Sequence, residues 1–459
     1  MRLYIRKRLT RMRQKLRKTS TMQIVVLAFL FIILLGTMLL SLPVASKAKT
    51  ATPFFTALFT ATSATCVTGL TLVDTYTHWS GFGQAVLLCL IQIGGLGFMT
   101  IVSLFFFAAN RRIGLKDRLI MAQSLGVDQL SGVVKMVKHV LVGTFAIELA
   151  GAVILTLCFL QDQPFAMALW QGVFHAVSAF CNAGFDILGA VDAGGSLIPY
   201  CTHPVVNLTL IALIVLGGLG FFVWEDVREK KKFHSFTVYT KLVLVVTAVL
   251  LFGGAVMTAV LEWNNPATIG SLSVPQKLLA SLFQSATWRT AGFYTFPQGG
   301  LTTPAKAFGS VLMFIGGSSG STAGGAKTVT MAVLVLSVLA SARGRSRLTV
   351  FHRTIHPQQV TNAVSVITLM FGVAFAAAVF LSATNGLDFL DCAYETVSAI
   401  ATVGISVGIT PVLNTASQLV IIVCMFFGRV GIMTISLGFL LSDQTQERYH
   451  YAETKVMIG

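Results

Sequence analysis

Charge is scarce in this chain. Only 11 % of its 459 residues are Asp, Glu, Lys or Arg, where a soluble domain carries about 25 %. With 55 % hydrophobic residues and a mean hydropathy of +0.79, that deficit excludes an ordinary globular enzyme, and it excludes disorder. Cysteine is also sparse. The seven (Cys66, Cys89, Cys158, Cys181, Cys201, Cys392 and Cys424) form no CxxC pair and no metal spacing, so they read as small, buried, reduced residues. HExxH and Walker sequences are absent, which leaves no recognised route to ATP hydrolysis. A cleavable leader is not expected either. The apolar run behind the basic N-terminus has full span length and should stay as a helix.

Long apolar runs are abundant. A membrane-crossing helix needs about 20 apolar residues. Eight runs qualify, at about 22–42, 83–109, 138–160, 204–224, 240–261, 306–340, 359–383 and 416–441. Between them lie four shorter, half-apolar stretches near 52–66, 169–181, 277–288 and 389–401, too short to cross and therefore read as re-entrant. Of the 33 Lys and Arg, 26 fall in the N-terminal segment, loops 110–138, 224–241 and 341–358, and the tail, whereas five fall in the alternate loops. Lys and Arg mark cytoplasmic loops, so both termini are expected in the cytoplasm of a multi-pass plasma (inner) membrane protein. The net charge of +16 is thus read as topology and not as affinity for nucleic acid. The basic N-terminus also suits anionic membrane lipid.

The short stretches repeat one another. They read SATCVTGL (63–70), SAFCNAGF (178–185), SATWRTAGF (285–293) and SAIATVGI (398–405). Their glycines, Gly69, Gly184, Gly292 and Gly404, are 115, 108 and 112 residues apart, which is an internal repeat spanning the chain. The third copy carries one extra residue between its Ser-Ala and its glycine. A second motif follows each: IQIGGLGF (91–98), IVLGGLGF (214–221), MFIGGSSG (313–320) and MFFGRVGI (425–432). The expected fold is therefore an all-α integral membrane protein of four tandem span–pore-helix–span units. It has eight transmembrane helices and four re-entrant pore loops in pseudo-fourfold symmetry around one pore. The units are 1–110, 111–228, 229–345 and 346–459. Irregular backbone at membrane depth survives only when buried in protein or lining water. Four such loops can aim carbonyl oxygens at one axis and replace the hydration shell of a monovalent cation. Glycine accepts the dihedrals this needs.

These loops, above all HAVSAFCNAGFD (175–186), RTAGF (289–293) and ETVSAIATVGIS (395–406), resemble the Trk/Ktr/HKT superfamily of potassium transporters. Within it the chain is most similar to the membrane subunit of bacterial Ktr-type uptake systems, over roughly residues 20 to 445. The resemblance implies K+ uptake through a channel-like pore in a homodimer, regulated by a cytosolic nucleotide-binding ring. Carried onto this chain, the filter would be Val67, Thr68 and Gly69, Asn182, Ala183 and Gly184, Thr290, Ala291 and Gly292, and Thr402, Val403 and Gly404. Glycine in all four copies goes with K+ preference in the family. No cofactor is expected in the chain itself; K+, or Na+, is the transported or coupling ion. A tightly coupled Na+/K+ or H+/K+ carrier is the alternative, although carriers usually show inverted halves.

Segment 306–340 would make roughly 50 Å of helix, longer than a core of about 30 Å. Its middle holds Gly316, Gly317, Ser318, Ser319, Gly320, Ser321, Thr322, Gly324 and Gly325, then Lys327. So many glycines predict a break, and the resemblance implies a gating loop there. Lys327 is expected to snorkel toward the cytoplasmic interface. Arg429 lies mid-span in FFGRVGIM, where a charge is costly and functional by default. It should set a barrier or anchor the loop of the third unit; an ion pair with Glu148 is the bland alternative. Glu148 reads as a hydrogen-bonded packing residue or part of a coupling site. His175 and Glu395, each nine residues before a glycine, read as supports behind the loops. The basic loops at 110–138, 224–241 and 341–358 are candidate docking faces for the regulatory partner.

Overall fold

The computed structural model describes residues 21–97, 132–189, 195–345 and 347–431. They form fourteen helices of ten residues or more: α1 (Thr21–Ser41), α2 (Phe54–Thr65), α3 (Gly81–Leu96), α4 (Val133–Phe159), α5 (Phe165–Phe180), α6 (Pro204–Leu219), α7 (Phe221–Lys230), α8 (Val238–Glu262), α9 (Val274–Thr287), α10 (Thr303–Ile315), α11 (Thr328–Ala342), α12 (Pro357–Asn385), α13 (Phe389–Ile400) and α14 (Thr415–Val430). One hairpin joins α11 to α12, β1 (Thr349–Val350) pairing antiparallel with β2 (Arg353–Thr354). The four short stretches expected from the sequence are α2, α5, α9 and α13.

Helix starts follow capping chemistry. Ser80, Thr237, Thr302 and Asn414 each accept a hydrogen bond from a first-turn amide, and Ser273 forms a capping box with Gln276. Pro204 and Pro357 open α6 and α12, where a missing N–H costs nothing. The ends are set by glycine. Helices α3, α6, α10 and α14 stop at Gly97, Gly220, Gly316 and Gly431, with φ of +82°, +98°, +69° and +91°. The second motif of the repeat is therefore a helix terminator in every copy.

Two expectations change here. The run at 204–224 is not straight: the chain turns by 92° at Gly220 and continues as α7. Among the described residues, four helices (α1, α4, α8 and α12) are long and apolar enough to cross a bilayer alone, or five spans if α6 and α7 count as one. The parts of 83–109 and 416–441 beyond Gly97 and Gly431 lie outside the described residues, as does loop 110–131. The break expected within 306–340 is present, between Ile315 and Thr328.

Each long helix packs on the short helix that follows it: α1 on α2, α4 on α5, α8 on α9, α12 on α13. Each α2-type helix also meets the helix from the unit before. Helix α3 packs on α5, α6 on α9, α10 on α13, and α14 returns to α2. The pattern closes on itself. Large apolar side chains cover the outer surface, with Phe31 and Met38 on α1, Phe252 and Val260 on α8, and Phe371 on α12 all more than half exposed. A belt of that kind is a liability in water and suits a lipid surround. All the cysteines are free, six of them buried; Cys89 is exposed, contrary to the sequence reading.

Candidate functional site: four glycine loops and a broken helix

Helices α2, α5, α9 and α13 all end in the same kind of loop. Two residues before each glycine the backbone is left-handed: φ is +56° at Val67, +59° at Asn182, +72° at Thr290 and +51° at Thr402. The glycines follow at +101° (Gly69), +68° (Gly184), +85° (Gly292) and +91° (Gly404). Residues with side chains rarely hold that conformation, and such strain collects at functional sites. Reversing the sign of φ swings a peptide plane over, so alternate residues can turn their carbonyls to one side.

The loops meet. A Cβ placed on Gly184 would lie 2.6 Å from the Cα of Gly292, and one on Gly69 would lie 2.5 Å from the carbonyl oxygen of Ala183. A Cβ on Gly292 would lie 2.7 Å from the Val403 carbonyl oxygen, and one on Gly404 would lie 2.8 Å from the Cα of Gly69. The four glycines thus form a closed ring in chain order, backbone against backbone. The twelve residues expected at the filter all lie on these loops. A cavity of about 250 Å³ opens on one side of the ring, lined by all four glycines together with Asp74, Asp186, Tyr294 and Ser406.

Hydroxyls fix the loops to their helices. Ser63 Oγ accepts from Gly69 N at 3.0 Å, and Ser398 Oγ accepts from Gly404 N at 3.1 Å. Ser178 Oγ donates to the Phe185 carbonyl at 2.8 Å. In the third loop Thr287 donates to the Phe293 carbonyl, while Ser285 turns away to bond the Leu251 carbonyl on α8 at 2.7 Å. The anchor there is therefore Thr287, and the extra residue between Ser285 and Gly292 falls after the helix, which ends five residues before its glycine where the other three end four before theirs. Asn182 and Thr290 join two loops side chain to side chain at 3.2 Å. The hydroxyls of Thr68 and Thr402 are buried with no hydrogen-bond partner. His175 and Glu395 stand behind the ring as expected. His175 Nδ1 lies 2.7 Å from the Gln171 carbonyl, and Glu395 accepts from the Thr410 hydroxyl, holding the irregular segment after Gly404.

The break in the third unit, residues 316–327, crosses on the other side. The Thr322 hydroxyl donates to the last carbonyl of α5, Phe180, at 3.0 Å. A Cβ on Gly324 would lie 2.5 Å from the Ala401 carbonyl oxygen at the end of α13. Ser318 N donates to the Gly218 carbonyl at 3.0 Å, Phe221 N to the Gly320 carbonyl at 2.8 Å, and Tyr239 Oη to the Ser319 carbonyl at 2.8 Å. Arg429 completes the arrangement. Its guanidinium donates to the Thr322 carbonyl in the loop and to the Gly94 and Gly95 carbonyls of α3, the last at 2.9 Å. The charge is satisfied by three backbone oxygens from two other units.

The ion pair with Glu148 does not form. Glu148 instead accepts from Gln92 Nε2 at 3.0 Å, with Cys181 Sγ 3.9 Å away. Lys327 does not snorkel outward; its Nζ donates to the Ala323 carbonyl at 2.7 Å, inside the loop. Sequence reasoning missed Tyr239 and Asp74. Neither belongs to the repeated motifs: Tyr239 is brought in by its contact with the Ser319 carbonyl, and Asp74 caps the short turn that follows it through Thr77 N.

The family described as TrkH, cation transport protein, matches residues 5–448. The chain is 38 % identical to the potassium/sodium uptake protein NtpJ of Enterococcus hirae, covering 98 % of this chain and 100 % of that one. It is 38 % identical to the Ktr system potassium uptake protein B of Bacillus subtilis, covering 93 % and 94 %. The structure of the potassium transporter TrkH from Vibrio parahaemolyticus superposes with a TM-score of 0.69 at 20 % identity, covering 90 % of this chain and 84 % of that one.

Proposed function

The chain belongs to the TrkH family of cation transport proteins, and from that premise we propose that it takes up potassium ions across the plasma membrane through a channel-like pore. The observation that carries this reading is the closed ring of four glycine loops. In this reading residues 67–69, 182–184, 290–292 and 402–404 are the selectivity filter. A dehydrated K+ exchanges water for their carbonyl oxygens. The partial negative charge at the C-terminal ends of α2, α5, α9 and α13 favours the cation there. Asp74 and Asp186 in the adjoining cavity would raise its local concentration. The four units, 1–110, 111–228, 229–345 and 346–459, each contribute two crossings, which puts both termini in the cytoplasm.

Loop 316–327 is then the gate. It lies against the ends of α5 and α13, so an ion leaving the ring meets it first. Arg429 holds it shut through the Thr322 carbonyl and places a positive charge beside the exit. Three relatives carry Ktr system names, and this supports a cytosolic nucleotide-binding regulatory subunit acting on a homodimer of this chain. The basic stretch from Arg228 to Lys241 offers that partner a face, and Phe221 links it by one hydrogen bond to the loop. The relative named for potassium and sodium supports Na+ as a second transported or coupling ion.

The test is 86Rb+ uptake into liposomes holding the purified chain, with Gly292→Ser alongside. The wild type should pass Rb+ in preference to Na+, and the variant should lose that preference. Selectivity unchanged by Gly292→Ser would remove the filter assignment.

A further inference from the structure

A second cavity lies away from the glycine ring, between the C-terminal end of α11 and the N-terminal end of α12. Its volume is about 730 Å³. Arg345, Arg347, Ser341 and Thr361 line its polar side, and Leu348 and Val360 its apolar side. The hairpin builds it. Phe351 and His352 both take positive φ, +46° and +63°, which makes the tight turn. Leu348 is buried against Val333 and Ala363, and Ile355 N donates to its carbonyl at 2.9 Å. Arg347 adjoins this buried leucine, and Arg345 N donates to the Ala340 carbonyl at 2.9 Å.

Nothing among the described residues neutralises them. Residues 341–358 hold four Arg and no Asp or Glu. The ion pairs among the described residues are His139–Glu225, Lys230–Asp226 and Lys306–Asp391. Two guanidiniums with hydroxyls nearby match a phosphate, which arginine binds through paired N–H groups. The N-terminal end of the 29-residue α12 adds its dipole. Beside the cavity the helix surface turns apolar and outward: Val335, Val338 and Leu339 on α11 are about half exposed, and so is Val364 on α12. The cavity thus sits where lipid-facing helix gives way to cationic loop. A ligand that fits both parts carries an anionic phosphate and hydrocarbon.

We propose that this cavity binds an anionic phospholipid of the cytoplasmic leaflet, its phosphate on Arg345 and Arg347 and its acyl chains along α11. Sequence alone placed 341–358 among the docking faces of a protein partner; the cavity gives the segment another occupant. The lipid holds one end of a helix whose other end, Thr328, directly follows the loop at 316–327. Lipid-dependent gating is the consequence if that loop is the gate, whereas lipid binding itself does not rest on that reading.

The experiment uses the purified full chain in detergent, thermal unfolding and native mass spectrometry. Phosphatidylglycerol should raise the melting temperature and remain bound, and phosphatidylcholine and glycerol 1-phosphate should do neither. The double variant Arg345→Gln/Arg347→Gln should melt like the wild type without lipid and bind phosphatidylglycerol roughly thirtyfold more weakly. A Lys231→Gln/Lys232→Gln variant should bind it normally. Equal binding by the arginine double variant overturns the site. Binding of glycerol 1-phosphate as strong as that of the lipid overturns the lipid and leaves a soluble anion. Protection of the arginines by a cytosolic protein, with no lipid effect, makes the segment a protein interface instead.

Discussion

Val67, Asn182, Thr290 and Thr402 hold left-handed backbone at about 1–2 kcal/mol each. Nothing in a valine or a threonine announces this. It is imposed by the ring, which is why these four residues were expected at the filter from the resemblance while their left-handed backbone was not legible in the sequence. Gly404 is the strictest position, since a Cβ there would press on the Thr68 carbonyl. Gly404→Ala should abolish the preference for Rb+ over Na+ in competition uptake, with a lower melting temperature. Arg429 was legible as an anomaly, a charge at the wrong depth. Its three carbonyl partners were not, because backbone acceptors leave no trace in a sequence. Replacing it with Gln removes the charge and most of the donors, at about 2 kcal/mol for acceptors left unpaired. Rb+ flux through Arg429→Gln liposomes should rise several-fold; flux equal to wild type would detach Arg429 from gating.

Among elements, the broken third unit was predicted from the excess length of the run and its glycine content, and a twelve-residue loop, 316–327, separates its two helices. The bend at Gly220 was not foreseen. LGGLG reads as close packing, and only the contact of Phe221 N with the Gly320 carbonyl shows that the chain turns there to meet the loop. Deleting residues 318–323 should raise Rb+ flux and lower the melting temperature, since Arg429, Tyr239 and Phe221 each lose a carbonyl partner there. A different element carries stability. Glu262, at the end of α8, accepts from Asn265 and Thr268 and from both the amide and the hydroxyl of Thr302, at 2.6 to 2.9 Å, which ties α8 to the start of α10. Glu262→Ala should cost about 3 kcal/mol and lower the melting temperature by several degrees, with ion preference intact. That split between stability and selectivity distinguishes a brace from a filter residue.

For the molecule as a whole, apolar run length and the spacing of the glycines made the order of elements legible. The expected convergence of four loops on one axis did not say which helix touches which, because that is a matter of packing and not of period. The asymmetry of Lys and Arg makes one further expectation: single cysteines introduced at the N-terminus and in loop 224–241, in a Cys-free background, should react with an impermeant maleimide only after the membrane is opened. Reaction in intact cells would invert the proposed topology. The ring is closed by one polypeptide, and this sets its mutability. In an assembly of four identical subunits every substitution is made four times, so a change that is mild once becomes ruinous. Here one codon alters one quadrant, at a quarter of the cost. The Val, Asn, Thr and Thr at equivalent places already differ from quadrant to quadrant, and an engineer can adjust this opening one side at a time.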